Sequence, residues 1–120
     1  MKLLIKKEAL LILLIFYVLV LMVGFVIVIP KNIGMINNND KLIHFIEFFI
    51  LTILVLKTFQ AYNIKRFYFY GIIFLVFFVF LSESIQAFLP YRSFSFYDIV
   101  ADLLGIIIGF GVFKWIFYRL

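Results

Sequence analysis

The sequence contains no cysteine. That excludes a disulfide framework, a thiol nucleophile and any metal held by thiolates. Charge is also scarce. Charged side chains make up 14% of the 120 residues, against 68% that are apolar. A fold of this size leaves much of its surface exposed, so it cannot hide so much apolar surface from water. Lipid is the solvent that fits. Proline occurs only as Pro30 and Pro90, each placed to end a helix. No glycine-rich phosphate loop and no internal repeat is present. The net charge of +5 does not describe a nucleic-acid surface, because the basic residues stand at the ends of apolar runs and form no patch.

What the sequence does have is four long apolar runs. Residues 9–29, 41–61, 67–89 and 96–118 are each long enough to cross a hydrocarbon core of about 30 Å. The expected fold is all-α, an integral membrane four-helix bundle forming a single transmembrane domain over residues 1–120. The first run is too long for a signal-peptide core, and no Ala-x-Ala-like site follows it. Asn39 or Asp40 is the expected N-cap of the second helix. Ser95 and Asp98 form a Ser-x-x-acid cap for the fourth. Tyr68 and Tyr70, with Trp115 and Tyr118, read as aromatic belts. Lys57 is placed to snorkel to an interface.

Four spans put both termini on one side. Lys2, Lys6, Lys7, Lys57, Lys65, Arg66, Lys114 and Arg119 then fall on the terminal side, and Lys31, Lys41 and Arg92 on the other. The positive-inside rule makes the termini cytoplasmic and the loop ends of the polar stretches outward-facing.

Polar groups converge at that outward end. Asp40, His44 and Glu47 are spaced i, i+4, i+7. Glu83 and Gln86 are spaced i, i+3. Asp98, Asp102, Gly105 and Gly109 are spaced i, i+4, i+7, i+11. Each set shares one helical face. Glu47, Glu83 and Asp102 lie about seven residues from their expected helix ends, at a depth of roughly 10 Å. Ionisable groups there are costly and mark functional sites by default. Gly105 and Gly109 form a small-x-x-x-small pair that lets a neighbouring helix approach closely and brings Asp98 and Asp102 towards it.

The acids at this level outnumber the cations. Protonation, pairing with Arg92 or a bound cation must offset the excess. Simpler roles stand beside the functional ones. Asp40 and Asp98 serve as helix-end acids. Glu47, Glu83 and Asp102 could form an interhelical hydrogen-bond network. His44 could be a metal ligand or a general base, but a histidine hydrogen-bonded to a carboxylate is the commoner case. No metal ligand set is assigned from the sequence, and no cofactor is named.

These residues resemble the VanZ-like family of small membrane proteins, named for a protein associated with resistance to the glycopeptide teicoplanin. The resemblance rests on Asp40, Lys41 and His44 entering one helix, on Glu83 and Gln86, on Pro90 and Arg92, on Asp98, and on Gly105. It covers most of residues 40–109. Ser82 stands where the family often has an acid, Tyr91 where glycine is common, and Asp102 where asparagine is usual. The resemblance implies a multi-pass protein of the bacterial plasma membrane with a role in glycopeptide tolerance.

The pocket residues expected are therefore Asp40, Lys41, His44, Glu47, Glu83, Gln86, Arg92, Asp98 and Asp102. The leading reading is an outward polar pocket that binds or acts on an envelope component, by family analogy a lipid-linked wall precursor or the glycopeptide itself. A second reading is an enzyme using His44 with Glu47 or Glu83 as an acid–base pair, with or without a metal, on a lipid-linked ester or phosphate. A third is a proton- or ion-coupled transporter. That reading requires polar groups in the inner half, where residues 9–29 and 67–81 supply almost none.

Overall fold

A computed structural model of the chain describes residues 6–26, 36–88 and 96–118, excluding the side chains of residues 25, 26, 36–41, 86, 117 and 118. Four helices follow one another: α1 (Lys7–Val26), α2 (Ile36–Ala61), α3 (Phe67–Ala87) and α4 (Phe96–Tyr118). All four are long and apolar enough to cross a membrane. No strand occurs among the described residues. The chain is a multi-pass membrane protein. Inside lipid a helix satisfies its own backbone polar groups, which makes it the form an apolar segment of this length adopts. Large side chains such as Ile12, Phe16, Phe77 and Ile107 point outward, each more than 60% exposed, as lipid contact requires.

Helix α2 is the hub. It touches all three other helices and packs most extensively on α4. The two run parallel, since His44 meets Asp102 and, further along, Thr52 meets Gly109. Helix α3 runs against α2, with Phe48 on Phe78 and Phe59 on Phe74, ring centroids 5.9 and 6.3 Å apart. Helix α1 is also antiparallel to α2. Lys7 Nζ lies 5.2 Å from the centre of the Tyr62 ring, and farther along the Tyr17 hydroxyl donates to the Glu47 carbonyl oxygen at 2.9 Å.

The expected glycine contact is present. A Cβ at Gly105 would collide with the backbone carbonyl oxygen of Phe45. One at Gly109 would lie 3.0 Å from both the Phe49 carbonyl oxygen and Thr52 Cβ. Lipid offers no hydrophobic drive between helices, so such close packing carries much of the association. Thr52 fits the seam by turning its hydroxyl to its own helix, donating to the Phe48 carbonyl at 2.7 Å. Ser82 does the same on α3, donating to the Val79 carbonyl at 2.8 Å.

Three expectations need correction. Neither Asn39 nor Asp40 caps α2, because the helix already begins at Ile36. Adding turns to an existing apolar helix requires only propagation, which polar Asn37–Asp40 tolerate without a new nucleus. Tyr68 is not in a lipid-facing belt. Its ring packs on Phe110 and Phe113 of α4, at 4.8 and 6.0 Å between centroids. Tyr70 and Trp115 do stay exposed. The third helix ends at Ala87 with a turn at Phe88. Pro30, Pro90 and Ser95, with the helix-end roles expected of them, lie outside the described residues.

The α2–α3 connection has a feature that its basic residues do not announce. Asn63 has φ 57°, a left-handed conformation. Its N–H donates to the Gln60 carbonyl, and the Ile64 N–H donates to the Phe59 carbonyl. This is a Schellman C-cap with asparagine in the position glycine usually fills. Asn63→Gly is expected to leave stability within a few tenths of a kcal/mol, whereas Asn63→Val should lose about 1–2 kcal/mol. Thermal unfolding in detergent micelles checks both.

Candidate functional site

The polar residues meet where α2 and α4 begin and α3 ends. His44 sits in the third turn of α2, Glu83 near the end of α3, and Asp98 and Asp102 in the first two turns of α4. All four are buried, with exposures of 4%, 2%, 6% and 0% respectively. The glycine seam explains the arrangement. With Gly105 against the Phe45 backbone, the parallel helices bring His44 and Asp102 face to face, each just before its contact residue.

His44 Nδ1 and Asp102 Oδ1 are 2.9 Å apart, a hydrogen bond in which an ionised Asp102 accepts from the imidazole N–H. Asp98 Oδ2 lies 3.8 Å from the other ring nitrogen, Nε2, an ion-pair distance longer than a hydrogen bond. Glu83 closes the third side. One donor atom each from His44, Glu83 and Asp102 all lie within 4.8 Å of one another. Asp98 is also a first-turn acid, so its helix-end role and its place beside His44 coexist.

The floor of this cluster is apolar. One turn beyond His44 on α2 is Phe48, one turn before Glu83 on α3 is Val79, and one turn beyond Asp102 on α4 is Ile106. All three are buried apolar residues of the core. The polar cluster therefore stands at one end of the bundle, with buried apolar residues between it and the rest of the core. On the α3–α4 side, below the cluster, runs an apolar groove of about 240 Å³ lined by Ile72, Val76, Leu103, Ile106, Ile107 and Phe110. Val76 is two turns from Glu83 on the same face of α3, and Ile106 is one turn from Asp102 on α4.

The nine residues expected at the pocket divide into three groups. His44, Glu83, Asp98 and Asp102 come together. Glu47 is half-buried and outside the group of three that share 4.8 Å separations. The apolar span of α2 begins at Leu42, five residues before Glu47. With α2 starting at Ile36, Glu47 lies roughly 16 Å along the helix, and its carbonyl faces Tyr17 of α1. Asp40, Lys41 and Gln86 are on described helix backbone, but their side chains lie outside the described residues, as does all of Arg92. The residue that the sequence reading missed is Tyr17. A hydroxyl in the middle of an apolar run was its only signal.

The family model for VanZ/LLP1 matches residues 13–118. This chain belongs to the VanZ/LLP1 family. The resemblance read from Asp40, His44, Glu83, Asp98 and Gly105 is thereby borne out at the level of the family. The VanZ/LLP1 chain is also similar to a protein of Schizosaccharomyces pombe described as uncharacterized, C11E3.10. The two are 35% identical over 101 residues, covering 84% of this chain and 59% of that protein. The chain thus spans less than two thirds of that relative's length. No solved structure matches it.

Chemically, the VanZ/LLP1 site offers one imidazole and three carboxyl groups in low-dielectric surroundings. Among the described residues no lysine or arginine is buried with them. Such a set can hold and pass a proton, accept hydrogen bonds from a ligand's hydroxyl or amide groups, or take up a cation. It contains no side chain suited to covalent attack through sulfur.

Proposed function

We propose that this VanZ/LLP1 protein lies in a bacterial plasma membrane with cytoplasmic termini, and that its outward pocket binds or acts on a lipid-linked component of the cell envelope. The polar head would lie against His44, Glu83, Asp98 and Asp102, and Arg92 would orient it. The lipid chain would lie in the α3–α4 groove. Contribution to glycopeptide resistance would follow from altering the envelope component that teicoplanin meets. The observation that carries this reading is the buried His44–Glu83–Asp102 convergence directly above an apolar groove. An amphiphile with a polar head and a hydrocarbon tail matches that sequence of surfaces. The apolar floor of Phe48, Val79 and Ile106 favours a binding pocket over a transport path.

The test is teicoplanin sensitivity of a susceptible Gram-positive host expressing wild type or Glu83→Gln at matched protein levels. Wild type is expected to raise the inhibitory concentration at least fourfold, and Glu83→Gln to return it to the vector baseline. Equal resistance from both would make Glu83 a structural group. No resistance from wild type would remove the glycopeptide role.

The His44–Asp102 hydrogen bond favours a second reading. A carboxylate that holds an imidazole in one orientation is the arrangement of a general base. Glu83 on the third side would then be the partner acid, and a lipid-linked ester or phosphate the substrate. The structure pairs His44 with Asp102 rather than with Glu47, so Asp102→Asn is the variant that would separate turnover from binding.

A further inference from the structure

We propose that His44, Glu83 and Asp102 bind a divalent transition-metal cation, manganese or zinc. The inference rests on the same pocket as the proposed function and assigns it a resident ion. Two observations support it. The donors come from three different helices and all lie within 4.8 Å of one another. Two bonds of about 2.1 Å would place their donor atoms about 3.0 Å apart at the right angle of an octahedral manganese site and about 3.4 Å apart at the tetrahedral angle of zinc. His44 Nδ1 is 2.9 Å from Asp102 Oδ1, a separation that opens by a few tenths of an ångström for zinc. A small inward shift of Glu83 completes three ligands on one side of an ion.

The donor chemistry selects the class of ion. One imidazole with two carboxylates suits manganese and zinc, while the lack of thiolates disfavours softer metals. The charge among the ligands also balances. The two ligand carboxylates and a dication sum to zero, so the ion leaves Asp98 as the one uncompensated acid of a cluster exposed by only 0–6% in an apolar surround, where three acids would otherwise stand together. Ligation moves the imidazole proton to Nε2, on the side where Asp98 Oδ2 stands at 3.8 Å. A carboxylate behind a ligating histidine fixes the ring and raises its basicity. Asp98 is thus a positioning residue for His44 and not a ligand.

The chain has a single histidine, which makes the site directly readable. Wild-type protein freed of any purification tag is stripped with chelator, loaded with Mn²⁺ or Zn²⁺, and passed through a desalting column. Elemental analysis is expected to give about one ion per chain. Electron spin-echo spectra of the manganese form should show one directly bound imidazole nitrogen, which can only be His44. Asp102→Asn and Glu83→Gln should each weaken binding at least tenfold, and Glu8→Gln should not.

Folded wild type that retains neither metal overturns the proposal. So does stoichiometric metal without the nitrogen coupling, or metal held equally by both cluster variants. If a cluster variant fails to fold, the wild-type nitrogen signal decides alone. Neither readout uses the drug phenotype. Metal binding without resistance would leave this inference standing and remove the glycopeptide role, and Glu83-dependent resistance without metal would do the reverse.

Discussion

Gly105→Leu is expected to abolish the folded bundle. The obstacle at this position is the Phe45 carbonyl oxygen, with the Phe49 amide nitrogen 3.1 Å from where a Cβ would sit. Backbone atoms cannot rotate aside as a side chain would, so α2 and α4 must separate. Gly109 prevents a simple pivot, because its own Cβ position is only 3.0 Å from the Phe49 carbonyl and from Thr52. Overpacking usually costs about 1–3 kcal/mol, occasionally more. A branched side chain against a backbone on the largest helix contact belongs at or beyond the upper end. Gly105→Ala should lose about 2–3 kcal/mol on the same argument.

Gly111 is the control. Nothing lies within 4 Å of its Cβ position, so Gly111→Ala should gain up to about 1 kcal/mol from helix propensity. The measurements are recovery of monodisperse protein and thermal unfolding in detergent micelles. A Gly105→Leu protein that melts with wild type would show that the seam is not tight.

His44→Leu is expected to be the most damaging change inside the site. It removes the imidazole between Asp98 and Asp102 and leaves their carboxyl groups in a buried apolar place. Removing one partner of a buried ion pair typically costs about 3–5 kcal/mol, whereas replacing both by apolar groups is often neutral or stabilising. The double variant His44→Leu/Asp102→Leu should therefore recover more than half of the loss, although it removes more polar chemistry. Unfolding in the presence of chelator keeps any metal contribution out of the comparison. Additive losses, with the double variant worse than His44→Leu alone, would show that the two side chains are not energetically coupled.

The fold was legible because lipid simplifies the code. A long apolar run bounded by polar residues can satisfy its backbone only as a helix, and four such runs were evident in order. The glycine seam was legible too, since Gly105 and Gly109 share a face with Asp98 and Asp102. Which polar residues meet was less so. His44 and Glu47 are three positions apart, about 60° around the helix axis. That angle separates a residue facing α3 and α4 from one whose turn lies against α1. Only the docked rotation of α2, set by the glycines, decides between them. The start of α2 was missed because polar asparagines read as loop when the continuing helix is left out of account. Tyr68 was assigned to a belt because its position near a helix end could not show that α4 passes beside it.

The contact of α2 with α4 has a consequence for how the protein is made. Helix α2 leaves the ribosome long before its principal neighbour exists. In the interval its glycine-matching face at Phe45 and Phe49 has no partner seam, and His44 has neither Asp98 nor Asp102 beside it. Membrane insertion can proceed helix by helix, but the polar cluster is completed only when α4 docks on α2. A chain cut short before α4 would keep His44 and Glu83 but lack Asp98, Asp102 and the glycine seam that sets them against His44. The cluster is thus assembled only once α4 is in place, and a stop before Phe96 leaves it without either of its aspartates.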